Sequence, residues 1–147
     1  YGDHRDLHSF PTRRPSDLTT GLLLFTNDGE LAKKLTHPSY EKKKVYHVQL
    51  DKDLEPEDLQ KIKKGIDLED GFIAADEIEM IDYNDKRQVG IEIHSGKNRI
   101  VRRIFNHLGY NVEKLDRVMF AGLTKKDLPR GRYRFLTAQE VYFLKMS

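Results

Sequence analysis

Residues 74–94 read AADEIEMIDYNDKRQVGIEIH. In "AADEIEMIDY" and "QVGIEIH" apolar and polar side chains alternate, the period of a strand with one buried face. The polar "NDKR" (84–87) between them marks a turn, so the pair reads as an antiparallel hairpin. Upstream, "KKKVYHVQLD" (42–51) alternates in the same way, with Val45, His47 and Gln49 opposed to Tyr46, Val48 and Leu50. Pro56 suits a first helical turn, and "EDLQKIKKG" runs as a helix to a stop at Gly65. Downstream, "NRIVRRIFNHLG" (98–109) has the helical period and ends on Gly109. Strand-like "VEKLDRVMFAG" follows, and "TAQEVYFLKM" closes the chain as a helix with Thr137 and Glu140 as its capping box. Nearer the start, "GLLLFT" (21–26) reads as a short buried strand, "NDG" (27–29) as a turn and "ELAKKLTH" (30–37) as a short helix ended by Pro38. Strands outnumber helices and connect mostly through hairpins, which predicts an α+β fold.

A chain of 147 residues, 37% hydrophobic and 34% charged, can close one core and has the balance of a soluble globular domain. No apolar run approaches the roughly 18 residues that span a bilayer. Cysteine is absent, which excludes disulfides and thiolate metal sites; a cytoplasmic location is the default expectation. Net charge is only +2 but is unevenly placed. Acids dominate from Asp51 to Asp85. "HSGKNRIVRRIFNH" (94–107) carries Lys97, Arg99, Arg102 and Arg103 with no acid, and "KKDLPRGRYR" (125–134) has five bases, including Arg130 and Arg132, against Asp127. Two basic concentrations on a nearly neutral chain suggest a polyanion, against the alternative of ordinary solvated surface.

The 98–108 helix concentrates the candidates. Ile100, Val101, Ile104, Phe105 and Leu108 form its expected buried stripe, and Arg99, Arg102, Arg103 and Asn106 are expected to stack on the opposite face. Gly96-Lys97-Asn98 stands just before it, where backbone N–H groups and the helix dipole favour an anion. Guanidinium groups pair bidentately with phosphate oxygens, which suits an RNA backbone. Tyr46, mid-strand, is either half-buried packing or a ring that stacks on a nucleobase. His4 and His8 with Asp3 and Asp6 can be drawn as a metal cluster, but no scaffold supports it and no metal is expected. A chelator-sensitive nuclease is the corresponding minor reading. No phosphate-cradling glycine loop and no Ser/His/Asp or Cys/His set is present, which leaves single-carboxylate chemistry as the main enzymatic option.

"TTGLLLFTNDGELAKKLTHPSYEKKKVYHV" and "GKNRIVRRIFNHLGYNVEKLDRVMFAGL", with "LPRGRYRFLT" beyond, resemble the RsuA/RluB branch of ribosomal RNA pseudouridine synthases. The resemblance runs from Thr19 to Phe143, about five-sixths of the chain. It implies a mixed, mainly antiparallel sheet with flanking helices and a basic cleft. The implied activity is isomerisation of uridine to pseudouridine in ribosomal RNA, by a monomer that needs neither metal nor cofactor. It assigns Tyr46 to the target base and Arg102 as partner of a catalytic Asp, and Arg99 and Arg103 match the flanking positions of that arginine motif; together with Lys97, Arg130 and Arg132 of the basic stretches they are the expected RNA-binding residues. A base within RNA must be extruded before its glycosidic bond is reached, which calls for a basic groove and a stacking platform. A neighbouring guanidinium keeps the reactive carboxylate ionised.

The family pattern Gly-Arg-Leu-Asp-x-x-Thr-Ser/Thr-Gly places that Asp three residues before Thr19. Ser16 holds the position, and Asp17 is one residue late; on an extended segment such a slip turns the side chain to the other face. Arg13-Arg14-Pro15 stands where Gly-Arg-Leu is expected. Residues 1–18 therefore read as an irregular non-family leader, like a cloning scar or translated sequencing adapter, and 19–147 as a partial catalytic domain. The chain as written is expected to be weak or inactive. The alternative is a non-catalytic RNA-binding module.

Overall fold

A computed structural model describes residues 19–146. Strands β1 (Thr19–Gly21), β2 (Lys44–Leu50), β5 (Glu77–Asp82), β6 (Asp85–Ile93), β7 (Val112–Phe120) and β8 (Leu123–Thr124) form one sheet. Its order is β1-β7-β2-β6-β5, with β8 also paired to β7. Only the β1–β7 pairing is parallel, so the sheet is mixed and mainly antiparallel, as expected. Strands β3 (Ile66–Leu68) and β4 (Gly71–Ile73) make a separate two-stranded ribbon that the sequence reading missed. The helices are α1 (Gly29–Thr36), α2 (Pro56–Lys64), α3 (Ile100–His107) and α4 (Ala138–Met146).

The β5–β6 hairpin forms, but Asp82 pairs directly with Asp85, so the turn is Tyr83-Asn84 rather than the 84–87 stretch. The Asn84 N–H donates to the Asp82 carboxylate at 2.8 Å, which closes the turn early and leaves Lys86 and Arg87 in β6. "GLLLFT" is not a strand. Pairing stops at Gly21, and the Arg117 guanidinium takes the Leu22 carbonyl at 2.6 and 3.0 Å. Leu22 and Leu24 pack instead against a cluster of Leu31, Leu35, Phe120, Leu123 and Leu144.

Residues opposite one another in the ladder share a face. Val48 faces Val89 and Leu115, Tyr46 faces Ile91, and Ile91 faces Ile78, so one face of the sheet is apolar. Helices α2 and α3 cover it through Ile62, Ile100, Val101, Ile104 and Phe105, giving the larger core. The other face carries His47, Gln49 and Gln88, joined by side-chain hydrogen bonds. Tyr110 ties α2 to this core. Its hydroxyl donates to Asp58 at 2.6 Å and accepts the Glu55 N–H at 3.0 Å, the donor at the helix start, where Glu55 offers no side-chain cap. Burial and Asp58 push that phenol up to about 12. The capping box of α4 forms as read: Thr137 N–H donates to Glu140 at 2.8 Å and Glu140 N–H to the Thr137 hydroxyl at 3.1 Å.

Gly21 has φ +112°, and a Cβ there would lie 2.4 Å from the backbone N and O of Arg117. Gly21→Ala should therefore cost about 2 kcal/mol or more, from overpacking and left-handed strain together, read as a lower urea midpoint. Glu140, held by Arg134 and the Thr137 N–H, sits at about 2 instead of its ordinary 4.5. A depressed carboxylate contributes stability that is complete above pH 4.5 and lost as pH falls toward 2. Glu140→Gln should flatten that acid limb in denaturation series across this range.

Candidate active site

On β2, the face that buries Val48 and Leu50 completely also carries Lys44 and Tyr46 toward the other end of the strand. Tyr46 lies opposite Ile91 on one side and Arg117 on the other. Phe120, opposite Lys44, belongs to the second apolar cluster, whereas Leu115, opposite Val48, belongs to the first. At the rim of the first cluster, a cavity of about 330 Å³ opens. Lys44, Tyr46 and Leu115 line it from the sheet, and Ser95 to Arg102 line it from the segment that enters α3. Tyr46 and Arg102 therefore converge on one site.

Arg102 is only 6% exposed and donates to the Val112 carbonyl at 3.2 Å. This corrects the expected solvent stripe. At about 100° per residue, Ile100, Val101, Arg102, Ile104 and Phe105 cover a continuous arc of about 200°. Arg102 lies at its edge, where the core gives way to the cavity. Arg99 is not helical: it is the N-cap, in the left-handed conformation at φ 54° and ψ 31°. It lines the cavity, whereas Arg103 and Asn106 are not among the lining residues.

The helix itself has no acid, yet one arrives from the β3–β4 turn. Arg103 forms an ion pair with the Asp70 carboxylate, and Lys97 Nζ donates to the Asp70 carbonyl at 2.9 Å with the carboxylate 3.9 Å away. The hydrogen bond from Arg103, followed by its charge and that of Lys97, holds Asp70 below the usual carboxylate range. Asp70 thus stands against two residues read as phosphate contacts. Sequence alone could not show this, because the partners lie 27 and 33 residues away.

Lys44 was also missed, although the period of two from Tyr46 marks it. Its ammonium donates to the Ser95 carbonyl at 3.1 Å. Burial, then the charge of Arg117, pulls its titration below the ordinary lysine value, with Glu41 opposing. Arg130 and Arg132 are exposed in the 125–135 loop and are not among the residues lining the cavity. Ser16 and Asp17 lie outside the described residues, as do His4 and His8. The chain enters β1 at Thr19, opposite Leu115 and thus beside the cavity. Among the described residues no group of three His, Cys, Asp or Glu is placed to hold a metal. Among them, too, no helix is long and apolar enough to cross a membrane.

The sequence matches the family model described as RNA pseudouridylate synthase over residues 6–107. The chain belongs to that family. The match begins inside the 1–18 segment. Family relatives include the ribosomal large subunit pseudouridine synthase B of Bacillus subtilis, 41% identical over 92% of this chain and 57% of the relative. The Haemophilus influenzae protein of the same name is 36% identical over 86% and 36%. A crystal structure of a pseudouridylate synthase aligns with TM-score 0.76 at 31% identity, over 86% of this chain and 55% of that one. The chain thus spans about half the length of such family members, or less.

If Asp70 neutralises cations that would otherwise meet a polyanion, Asp70→Asn should free both. The variant should elute from a heparin column at higher salt than the unaltered chain. Unchanged or earlier elution would mean that Asp70 mainly holds the 96–103 segment in place.

Proposed function

We propose that this chain is a catalytic domain of the kind that isomerises uridine to pseudouridine in ribosomal RNA, in the cytoplasm, weak or inactive as written because Ser16 stands where the family pattern has Asp. The reaction breaks the bond from N1 to C1′ and forms one from C5 to C1′, while C5 loses a proton and N1 gains one. Atoms balance without a redox partner, in keeping with a site built from ordinary side chains. The observation that carries the reading is the convergence of Tyr46 and Arg102 on one cavity beside the entry of β1.

The geometry supports the roles that the family resemblance implies. Tyr46 offers a ring to an extruded base from a rigid central strand. Arg102, buried and fixed to the Val112 carbonyl, has the place and charge to hold a carboxylate ionised. Lys97, Arg99 and the N-terminal end of α3 face the same space as backbone-phosphate ligands. A second reading, an RNA-binding module without turnover, rests on Ser16, which offers no carboxylate where the family pattern has Asp.

One variant separates the two. Restoring the pattern with Arg13→Gly, Pro15→Leu and Ser16→Asp should yield tritium release from uridine labelled at C5 in a ribosomal transcript, with new pseudouridine by mass spectrometry. RNA binding without either product would favour the module. In the restored chain, Arg102→Ala should lower turnover about a hundredfold or more with little change in RNA affinity. Arg103→Ala should do the reverse and reduce the slope of log affinity against log salt by about 0.7. Equal effects of the two substitutions on both readouts would refute this division of roles.

A further inference from the structure

The roles given to Tyr46, Lys97, Arg99 and Arg102 leave Lys44 without one, although it shares their cavity. Lys44 and Tyr46 stand on one face of β2, two residues and thus about 7 Å apart along the strand. Both are half-buried, whereas Lys97 and Arg99, on the outer side of the same space, are exposed. Phosphates can stay solvated against the exposed pair, while a base that enters the cavity meets Tyr46 and Lys44. The Lys44 ammonium donates to the Ser95 carbonyl at 3.1 Å, its one hydrogen bond among the described residues. An ammonium has three N–H groups, so further donors remain for a ligand.

The charge around Lys44 points to an anionic ligand. Among the described residues that line the cavity there is no Asp or Glu. Asp70 approaches Lys97, and Arg102 is tied to the Val112 carbonyl. Burial first and the charge of Arg117 second oppose the Lys44 cation, and Glu41, which favours it, comes third. A partly desolvated cation beside a like charge gains more from a negative ligand than an exposed one does. Isomerisation of uridine supplies negative charge at one definite moment. When the N1–C1′ bond breaks, its electron pair stays with the base. The base then carries one negative charge, spread over N1, O2 and O4, and C1′ carries the matching positive charge. Bonding of C5 to C1′ cancels the two charges; C5 then loses its proton and N1 gains one.

We propose that Lys44 is a catalytic residue that donates to a carbonyl oxygen of the uracil and stabilises the negative charge of the departing base. This role rests on the reading of the cavity as a uridine site and names the group there that makes uracil a better leaving group. A base stacked on the Tyr46 ring presents its oxygens at its edge, and the four-carbon stem of Lys44 spans the distance from the next position on that face. The oxygens of the bound substrate carry only partial charge, so a fixed cation beside them favours the transition state over the ground state.

Free bases test the unaltered chain directly, by NMR titration at about pH 8. 5-Nitrouracil is ionised there, and thymine, also substituted at C5, is neutral. 5-Nitrouracil should bind about tenfold more tightly. Lys44→Met should abolish the preference and Lys44→Arg should keep most of it. Equal affinities in the unaltered chain, or a preference that survives Lys44→Met, would overturn the inference. In the chain with the restored Asp pattern, Lys44→Met should lower uridine turnover about a hundredfold and leave RNA affinity and its salt slope unchanged. Fluorine at C5 stabilises the base anion, so the defect should shrink on 5-fluorouridine, read for both substrates as C-glycoside in the digested RNA. An equal defect on both would reduce Lys44 to a support of the Ser95 segment, and a lower salt slope would make it a phosphate contact; either result overturns the proposal. If the restored chain makes pseudouridine equally fast with and without Lys44, this inference fails alone. If neither base binds and the restored chain makes no pseudouridine, the uridine reading fails with it.

Discussion

Strand β2 sets four side chains on one face of the sheet, and the order in which they meet solvent determines where the cavity lies. Val48 and Leu50 are sealed between β6, β7 and the helices. Tyr46 and Lys44 continue the same row past the edge of α3, where no apolar side chain covers them completely. A rigid central strand thus delivers an aromatic ring and an ammonium to the rim of the larger core. Such a site is preorganised by the ladder itself, since both neighbouring strands hydrogen-bond to β2 over nearly its whole length.

Electrostatics at this rim are graded by burial. Arg102 is enclosed and fixed by a carbonyl, so its charge is directed by geometry. Arg103 and Lys97 stand farther out and share Asp70, an acid supplied by the ribbon. The near-neutral net charge of the chain therefore conceals local pairing: acids of the 51–85 region neutralise part of the basic stretch at 94–107. A ligand that reaches Arg103 competes with a carboxylate, which favours densely charged partners over single anions.

Period was the legible part of the fold. The alternation in 42–51 and 74–94, the capping box at Thr137 and Glu140, and the glycine stops at Gly65 and Gly109 all appear near their expected places, because each depends on neighbours within a few residues. Long-range competition was not legible. "GLLLFT" has strand composition, yet Arg117, some 95 residues away, takes the carbonyl that the ladder would need. The helical stripe was read by spacing alone, so Arg102 was placed in solvent; the width of the buried arc depends on what packs against α3, and spacing carries no record of that. Tyr46 and Arg102 took their roles from family resemblance and Lys44 was marked by its period of two from Tyr46, whereas Asp70 required coordinates.

The parallel pairing of β1 with β7 has a kinetic side. Thr20 and Asp116 are 96 residues apart, and their hydrogen bond belongs to a three-residue edge strand. The β5–β6 hairpin closes across two residues and can form early, whereas a contact of such high order must wait until the intervening chain is compact. Contact order of this size predicts that the border of the cavity beside Leu115 is completed late in folding and opens early under native conditions. Amide exchange at Leu22, whose N–H bonds to the Arg117 carbonyl, reports that opening directly.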